Sequence, residues 1–564
     1  MTSDKKSIAL LTEIFVKKGL KHIVISPGSR NAPIIISFTN HPDIEALSIV
    51  DERSAAFFAL GIAQQTKQTV AIACTSGTAA LNYAPAIAEA YYQKIPLLVL
   101  TADRPAEMID MGDGQTIRQK NIYANFIKKS LELPEEIISD SDFIHTEKTI
   151  NDAINETLIP DFGPVHINLP FTEPIYNQIE KFERNINIIK PVVKNKYLNN
   201  PELDKFAYIW NKSSKKLLIA GMMDTNPELK QVLKKITDDD SVVLLTETTS
   251  NLVDDDCSCS CIDKVVSTIT EEEIHDFKPD LLVTFGGPVI SKMVKAFLRK
   301  NKPAEHWHID AVDIEMDTYQ CLTEGIPLLP EILFKQLLPK IKKTKSDFSS
   351  KWMERSNRSE KRHNDFLSNT DYSDLKIFET LLRNIPTESY LQLSNSTPVR
   401  YVQLFKPFKN LFYNSNRGTS GIDGVVSTAS GAAFVTRKLT TLITGDLAFF
   451  YDSNALMNKH LTENLRIIII NNSGGGIFRF IQGPDETNRL KEFFEAKHNL
   501  NSKYLAKNFD IPYYSASTLN ELKAVLNSFY SNQENKKPAI LEIFTPNEKN
   551  AEVLKDYFAF LKKG

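Results

Sequence analysis

The stretch whose reading decides the fold runs from Ile443 to Phe478, ITGDLAFFYDSNALMNKHLTENLRIIIINNSGGGIF. An apolar run ends at Gly445-Asp446, and the β-rich run Ile467–Ile470 ends at Asn471-Asn472-Ser473-Gly474-Gly475-Gly476. Both ends read as strand C-termini, with one helix expected between them over roughly 453–461. In a parallel α/β sheet, strand C-termini are where ligands bind. A carboxylate on one tip, with a carboxamide and free backbone carbonyls on the next, makes an all-oxygen site for a hard cation. Mg2+ is held in this way, by one or two carboxylates together with phosphate oxygens. The glycines that follow let a diphosphate approach the backbone closely.

Outward from this stretch, 564 residues are too many for one core and call for about three or four domains. With 42% hydrophobic and 24% charged residues the chain reads as globular, and a net charge of -3 gives no case for nucleic acid or an acidic membrane as partner. No apolar run approaches the ~18 residues of a membrane span. Residues 1–20 show apolar positions at helical spacing interrupted by Glu13 and Lys17, an amphipathic helix and not a secretion signal, so a cytoplasmic location is expected. Five cysteines are too few for a disulfide framework. Cys257, Cys259 and Cys261 cluster, but they lack the spacing and the second ligand pair of a metal site; a polar surface loop is expected there.

Strand-like runs alternate with helix-length segments throughout. They are 22–26, 69–74, 96–101 and 165–169, then 216–220, 241–246, 280–285 and 307–310, then 390–393, 410–413, 441–444, 466–470 and 539–544. Three successive sets predict three doubly wound, mainly parallel α/β domains, 1–180, 181–345 and 346–564. Polar stretches at about 177–214 and 340–362 read as linkers.

Short polar motifs follow many of these strands. Ile25-Ser26-Pro27-Gly28-Ser29-Arg30 offers backbone donors and an arginine fork for a carboxylate. Asp51-Glu52-Arg53-Ser54 opens a small-residue helix, where acids also suit the N-terminus simply as caps. Cys74–Asn82 is a glycine turn and a helix start, PLLVLTADRP ends in Asp103-Arg104, and Gly112–Gln119 is a polar loop. In the last third, Ser394-Asn395-Ser396 precedes Arg400, and Ser415–Gly424 reads SNRGTSGIDG. Each is weak alone, since a glycine loop after a strand is common in α/β proteins.

Together the motifs resemble those of the thiamine-diphosphate decarboxylase superfamily over essentially the whole chain. They are ISPGSR (25–30), DERSAAF (51–57), TSGTA (75–79), TADRP (101–105), SNRGTSGIDG (415–424), and GDL (445–447) with NNSGG (471–475). Leu447 stands where many members have a third glycine, and this departure is similar to the branch in menaquinone biosynthesis that joins a succinyl unit to isochorismate. The resemblance implies a pyrimidine-binding, a central and a diphosphate-binding domain, with thiamine diphosphate and Mg2+ (or Mn2+) as cofactors. It implies decarboxylation of 2-oxoglutarate and conjugate addition of the succinyl carbanion to isochorismate. It also implies a homodimer or homotetramer in which Glu52 of one subunit meets Asp446 of its partner.

By the same resemblance, Glu52 is the catalytic acid at the aminopyrimidine N1′. Asp446, the Asn472 side chain and the Gly474 carbonyl are the metal ligands. Thr78, Gly445, Ile422, Ile477 and Phe478 are further cofactor contacts, Ile422 being the apolar wedge that bends the coenzyme. Both substrates carry two carboxylates, and arginine forks suit such groups. Arg30, Arg104, Lys292, Arg400 and Arg417 are the candidates by position in the family pattern, with Ser29, Gln115 and Ser396 as hydrogen-bonding partners. The alternative is another carboligase, such as an acetolactate-synthase-like enzyme. No two of the ten histidines are adjacent, against a pyruvate decarboxylase. A dehydrogenase or ATPase would show G-x-G-x-x-G or G-x-x-x-x-G-K-[ST] after a strand, and neither occurs.

Overall fold

The computed structural model describes residues 1–192, 196–252, 258–408, 410–479, 483–531 and 537–563. Three parallel sheets follow one another along the chain, as the alternation of strand and helix predicts. The first has the order Glu45–Ser48, His22–Ile25, Val70–Cys74, Leu97–Asp103, Val165–Pro170, Lys129–Glu132. The second runs Val242–Thr246, Lys216–Ala220, Leu281–Phe285, Glu305–Ile309, Glu324–Ile326. The third runs Leu411–Ser415, Ser389–Leu393, Thr440–Gly445, Leu465–Asn471, Ala539–Phe544, Tyr513–Ala516. Numbered along the chain within each sheet, the strands of the first and third sheets share one order, 2-1-3-4-6-5. Among the described residues only the small pair Thr2–Ser3 with Gln178–Ile179 is antiparallel.

The continuous apolar runs form central strands because each sheet is covered by helices on both faces. Ile468 and Ile470 pack into one core layer of the third sheet, while Ile467 and Ile469 pack into the layer on its other face. Leu98 and Leu100 face one side of the first sheet, Leu97 and Val99 the other. Leu217 and Ile219 are likewise divided from Leu218 and Ala220 in the second.

The first and third sheets are joined by two helices, Glu52–Thr66 and Val425–Thr436. A Cβ on Gly61 would stand 2.1 Å from the Thr428 carbonyl oxygen, and one on Gly431 would stand 2.0 Å from that of Phe58. The glycines therefore let the two backbones touch.

Four expectations are corrected. The helix expected over 453–461 starts earlier, as Asp446–Tyr451, and continues as a 3-10 turn at Ser453–Met457; Asp446 is thus the first helical residue, directly after the strand tip Gly445. The polar stretch 177–214 contains the helix Asn200–Lys212, opened by a capping box of Asn199 and Glu202. The stretch 340–362 is largely the helix Phe348–Ser368, polar on one side and burying Phe348, Trp352, His363 and Leu367 on the other. The described part of the cysteine loop does not lie at the surface: Cys259 and Cys261 are buried, and Cys259 bonds by its backbone to Leu244 and Thr246. Burial pushes the Cys259 thiol up to about 12, so it is inert at neutral pH. Cys257 lies outside the described residues.

Candidate active site

The third sheet changes direction between its first strand, Ser389–Leu393, and its third, Thr440–Gly445. Crevices outside the strand C-termini at such a switch are where α/β sheets bind ligands. Here a cleft of about 370 Å³ is lined from four successive strand ends. Ser396 and Arg400 come from the first, Arg417 and Ile422 from the second, Gly445 and Asp446 from the third, and Asn472, Gly474, Ile477 and Phe478 from the fourth. Ten residues singled out in the sequence therefore meet in one place. Lys292 lines an adjoining cleft of about 220 Å³ that shares Arg400 and Ile477.

Asp446 is buried. One carboxylate oxygen accepts from the Leu447 amide at 2.7 Å and the other from the Gly474 amide at 2.9 Å. The two strand tips are thus tied together by a carboxylate and a glycine turn. Gly474 has φ +146°, where an L side chain is strained, and a Cβ there would also meet the Glu495 carbonyl at 2.6 Å. Asn472 is buried with its Oδ1 unpartnered by protein. A buried amide oxygen beside a carboxylate, at a glycine turn, fits a hard cation bridging to phosphate. The donor set, all oxygen, agrees with Mg2+ or Mn2+.

Charge complementary to acidic ligands comes from Arg417 and Arg400. Arg417 is buried and donates from Nη1 to Asn395 Oδ1 at 2.9 Å, while its Nε has no protein partner. Burial, then the neighbouring Arg400, lowers its pKa. Arg400 is half-buried, and burial opposed by Asp263 and Glu247 lowers its pKa too. Two guanidiniums held close in a partly desolvated cleft favour an anionic ligand.

Supporting groups not found from the sequence are as telling as those that were. Glu247, buried at the end of the strand Val242–Thr246, accepts from the amides of Ile290 and Ser291, both at 2.7 Å. Ser291 caps the helix Lys292–Lys300, so Glu247 fixes the turn that presents Lys292. Burial pushes the Glu247 carboxyl up to about 7, the two amides and Arg417 opposing. Glu89, from the first sheet's helix Ala84–Gln93, accepts from the amides of Gly418 and Thr419 at 2.7 Å each and from the Thr419 hydroxyl at 2.7 Å, anchoring the loop behind Arg417. His498 lies with Nε2 3.3 Å from Asp446 Oδ2. Asp374 is wholly buried beside Asn472, and burial pushes its carboxyl up to about 6, opposed by the neighbouring Thr545, Asn472 and Asn550 side chains. Single carboxylates and a lone imidazole give no periodic or spacing signal, so nothing in the sequence marked these four.

The remaining candidates sit at the corresponding strand ends of the first sheet and are not among the residues lining either cleft. Arg30 is buried, donating from Nη1 to the Phe171 carbonyl at 3.0 Å and pairing with Glu173 at 3.1 Å. Arg104 is half-buried, while Ser29, Thr78 and Gln115 are exposed. Gly77, φ +82°, packs against the Gln115 backbone and donates its amide to Gln119 Oε1 at 2.8 Å. Glu52 is the first residue of its helix; the cap is its neighbour Asp51, which accepts from the Ser54 amide at 2.9 Å. Burial pushes the Glu52 carboxyl up, helped by Asp51 and opposed by its own amide.

Residues 6–122 match the family model described as the N-terminal TPP binding domain of thiamine pyrophosphate enzymes. The chain is 46% identical to a protein of Flavobacterium psychrophilum over 97% of both chains, and 44% identical to one of Christiangramia forsetii over 97% of both. A protein of Porphyromonas gingivalis is 39% identical over 99% of this chain and 98% of its own. All three relatives are named 2-succinyl-5-enolpyruvyl-6-hydroxy-3-cyclohexene-1-carboxylate synthase.

Proposed function

The chain belongs to the family of 2-succinyl-5-enolpyruvyl-6-hydroxy-3-cyclohexene-1-carboxylate synthases, and we propose that it is a transferase with the activity those relatives are named for. The reaction is loss of CO2 from 2-oxoglutarate and joining of the remaining succinyl unit to isochorismate, a step of menaquinone biosynthesis. The observation that carries this reading is the convergence of Asp446 and Asn472 with Arg400 and Arg417 on one cleft. A cation site beside paired guanidiniums matches a diphosphate cofactor together with dicarboxylate substrates.

Thiamine diphosphate, when bound, supplies the electron sink for breaking the bond to the departing carboxylate. Asp446, Asn472 Oδ1 and the Gly474 carbonyl would hold Mg2+ or Mn2+ and through it the diphosphate. Gly445, Ile422, Ile477, Phe478 and Thr78 would complete the cofactor contacts. Arg400, Arg417 and Lys292 would orient the substrate carboxylates with Ser396, and Arg30, Arg104, Ser29 and Gln115 would do so from the pyrimidine side. Glu52 would hold a proton at the aminopyrimidine N1′, a task its upward-shifted carboxyl suits. Glu52 does not line the cleft of its own chain, which supports a homodimer or homotetramer with Glu52 supplied by the second copy. We assign 1–180 to the pyrimidine domain, 181–345 to the central domain and 346–564 to the diphosphate domain.

Among the described residues no helix is long and apolar enough to cross a membrane. Cys74, Cys259, Cys261 and Cys321 are free thiols, which supports a reducing cytoplasmic setting.

The test is incubation with thiamine diphosphate, Mg2+, 2-oxoglutarate and isochorismate, with the product identified by mass. CO2 release from pyruvate and not from 2-oxoglutarate would replace this reading with that of an acetolactate-synthase-like carboligase.

A further inference from the structure

Away from both clefts, the strand Glu305–Ile309 and the loop after it assemble three unlike metal-ligand types. His306 is fully buried, with Nδ1 3.7 Å from Cys321 Sγ and 3.8 Å from Asp317 Oδ1. The three donor atoms lie within 4.8 Å of one another. For ligands ~2.0–2.3 Å from a tetrahedral metal, the edge between two ligand atoms is roughly 3.3–3.8 Å, the short end for nitrogen with oxygen and the long end where sulfur takes part. The His306–Cys321 separation already has that length, and the Asp317 carboxylate, partly exposed, would shift inward on its amide anchors to complete the set. We propose that His306, Asp317 and Cys321 form a binding site for a divalent transition cation of the zinc class, its fourth position open to water.

The surroundings are those a ligand histidine needs. Thr284 Oγ1 lies 3.0 Å from His306 Nε2. Accepting the Nε2 proton there, it leaves the Nδ1 lone pair aimed at Cys321 and Asp317. The threonine's own proton has a separate acceptor in His308 Nδ1 at 2.9 Å. Asp317 Oδ1 is fixed by the amides of Cys321 at 2.9 Å and Leu322 at 3.1 Å, which curls the loop and puts carboxylate and thiol on one side of the ring. Gln320, φ +59°, makes the turn between them. Tyr319 stands edge-on to the imidazole at 5.7 Å and closes the apolar flank. Metal binding would form a bond to Cys321 Sγ and release its proton to solvent. The site would pin the loop carrying Asp317 and Cys321 to the strand Glu305–Ile309, which carries His306. One nitrogen, one sulfur and one oxygen select Zn2+ or Co2+ over Mg2+, so this site and the all-oxygen cleft take different ions.

An ordinary S–H···N hydrogen bond also accounts for 3.7 Å, and the experiment separates the two. The full chain is stripped with a chelator and titrated with Co2+ under excess Mg2+. A thiolate-to-cobalt charge-transfer band should saturate at one equivalent per chain and bleach on adding Zn2+. It should vanish in Cys321→Ser and His306→Gln, and persist in Cys259→Ser and Asp446→Ala. Zn2+ should raise the thermal midpoint of the unaltered chain and leave that of Cys321→Ser in place. Cys321→Ser, a near-isosteric change at a half-buried position, decides the matter if His306→Gln does not fold. Absence of the band, or its survival in Cys321→Ser, overturns the proposal.

Discussion

Gly61 and Thr428 touch through their backbones: a Cβ on the glycine would stand 2.1 Å from the threonine's carbonyl oxygen. The helix carrying Gly61 opens at Glu52, and the helix carrying Thr428 opens three residues after Ile422. Their closeness therefore sets where an acid of the first sheet and a wall of the cleft lie in relation to each other. Gly61→Ala forces the helices apart, and overpacking of this kind costs about 1–3 kcal/mol. Urea unfolding should show a loss in that range, and an unchanged midpoint would mean the contact yields freely.

Arg400→Ala and Arg417→Ala each remove a charged donor from the cleft without touching Asp446 or Asn472. Charged hydrogen bonds contribute about 1.5–3 kcal/mol, which corresponds to roughly 10- to 150-fold in kcat/KM for the acidic substrates. Thiamine diphosphate affinity, followed by quenching of intrinsic fluorescence, should change little. Equal loss of both would mean that the arginines serve the cofactor.

Glu52→Gln keeps shape and removes the titrating proton. Turnover should fall by about 10²–10⁴, the usual share of a positioned acid or base, with cofactor affinity retained. Undiminished turnover would remove Glu52 from the proton path.

Glu247→Ala frees the amides of Ile290 and Ser291 and loosens the turn before Lys292. KM for the acidic substrates should rise while Mg2+ and thiamine diphosphate titrations hold. A loss confined to kcat would place its effect elsewhere.

His363 is buried, hydrogen-bonded through Nδ1 to the Tyr557 hydroxyl at 2.8 Å, and pushed down to about 2 by burial. Its folded value lies below the unfolded one near 6.5, so the unfolded chain takes up the proton first as pH falls. The stability tied to the neutral ring is complete above pH ~6.5 and declines below it by about 1.4 kcal/mol per unit. The stability gap between the unaltered chain and His363→Gln should therefore narrow by about 2 kcal/mol between pH 6.5 and 5. Parallel pH profiles would show that the ring titrates normally.

The sequence by itself determined the three-sheet architecture and singled out ten of the residues that line the cleft. Apolar runs such as Ile467–Ile470 are buried on both faces, and Gly445-Asp446 and Asn472–Gly476 end such runs, so motif and strand tip coincide. The strands Glu45–Ser48, Lys129–Glu132, Glu324–Ile326 and Tyr513–Ala516 escaped notice because each is an edge, half-exposed and mixed in polarity. Only the tertiary structure decided that Glu247, Glu89, Asp374 and His498 stand behind the site. It alone also brought His306 and Asp317 to Cys321, and buried the cysteines at 259 and 261. A lone carboxylate or imidazole carries no local periodicity; its role comes from which distant backbone amide or ligand the packed sheets place against it.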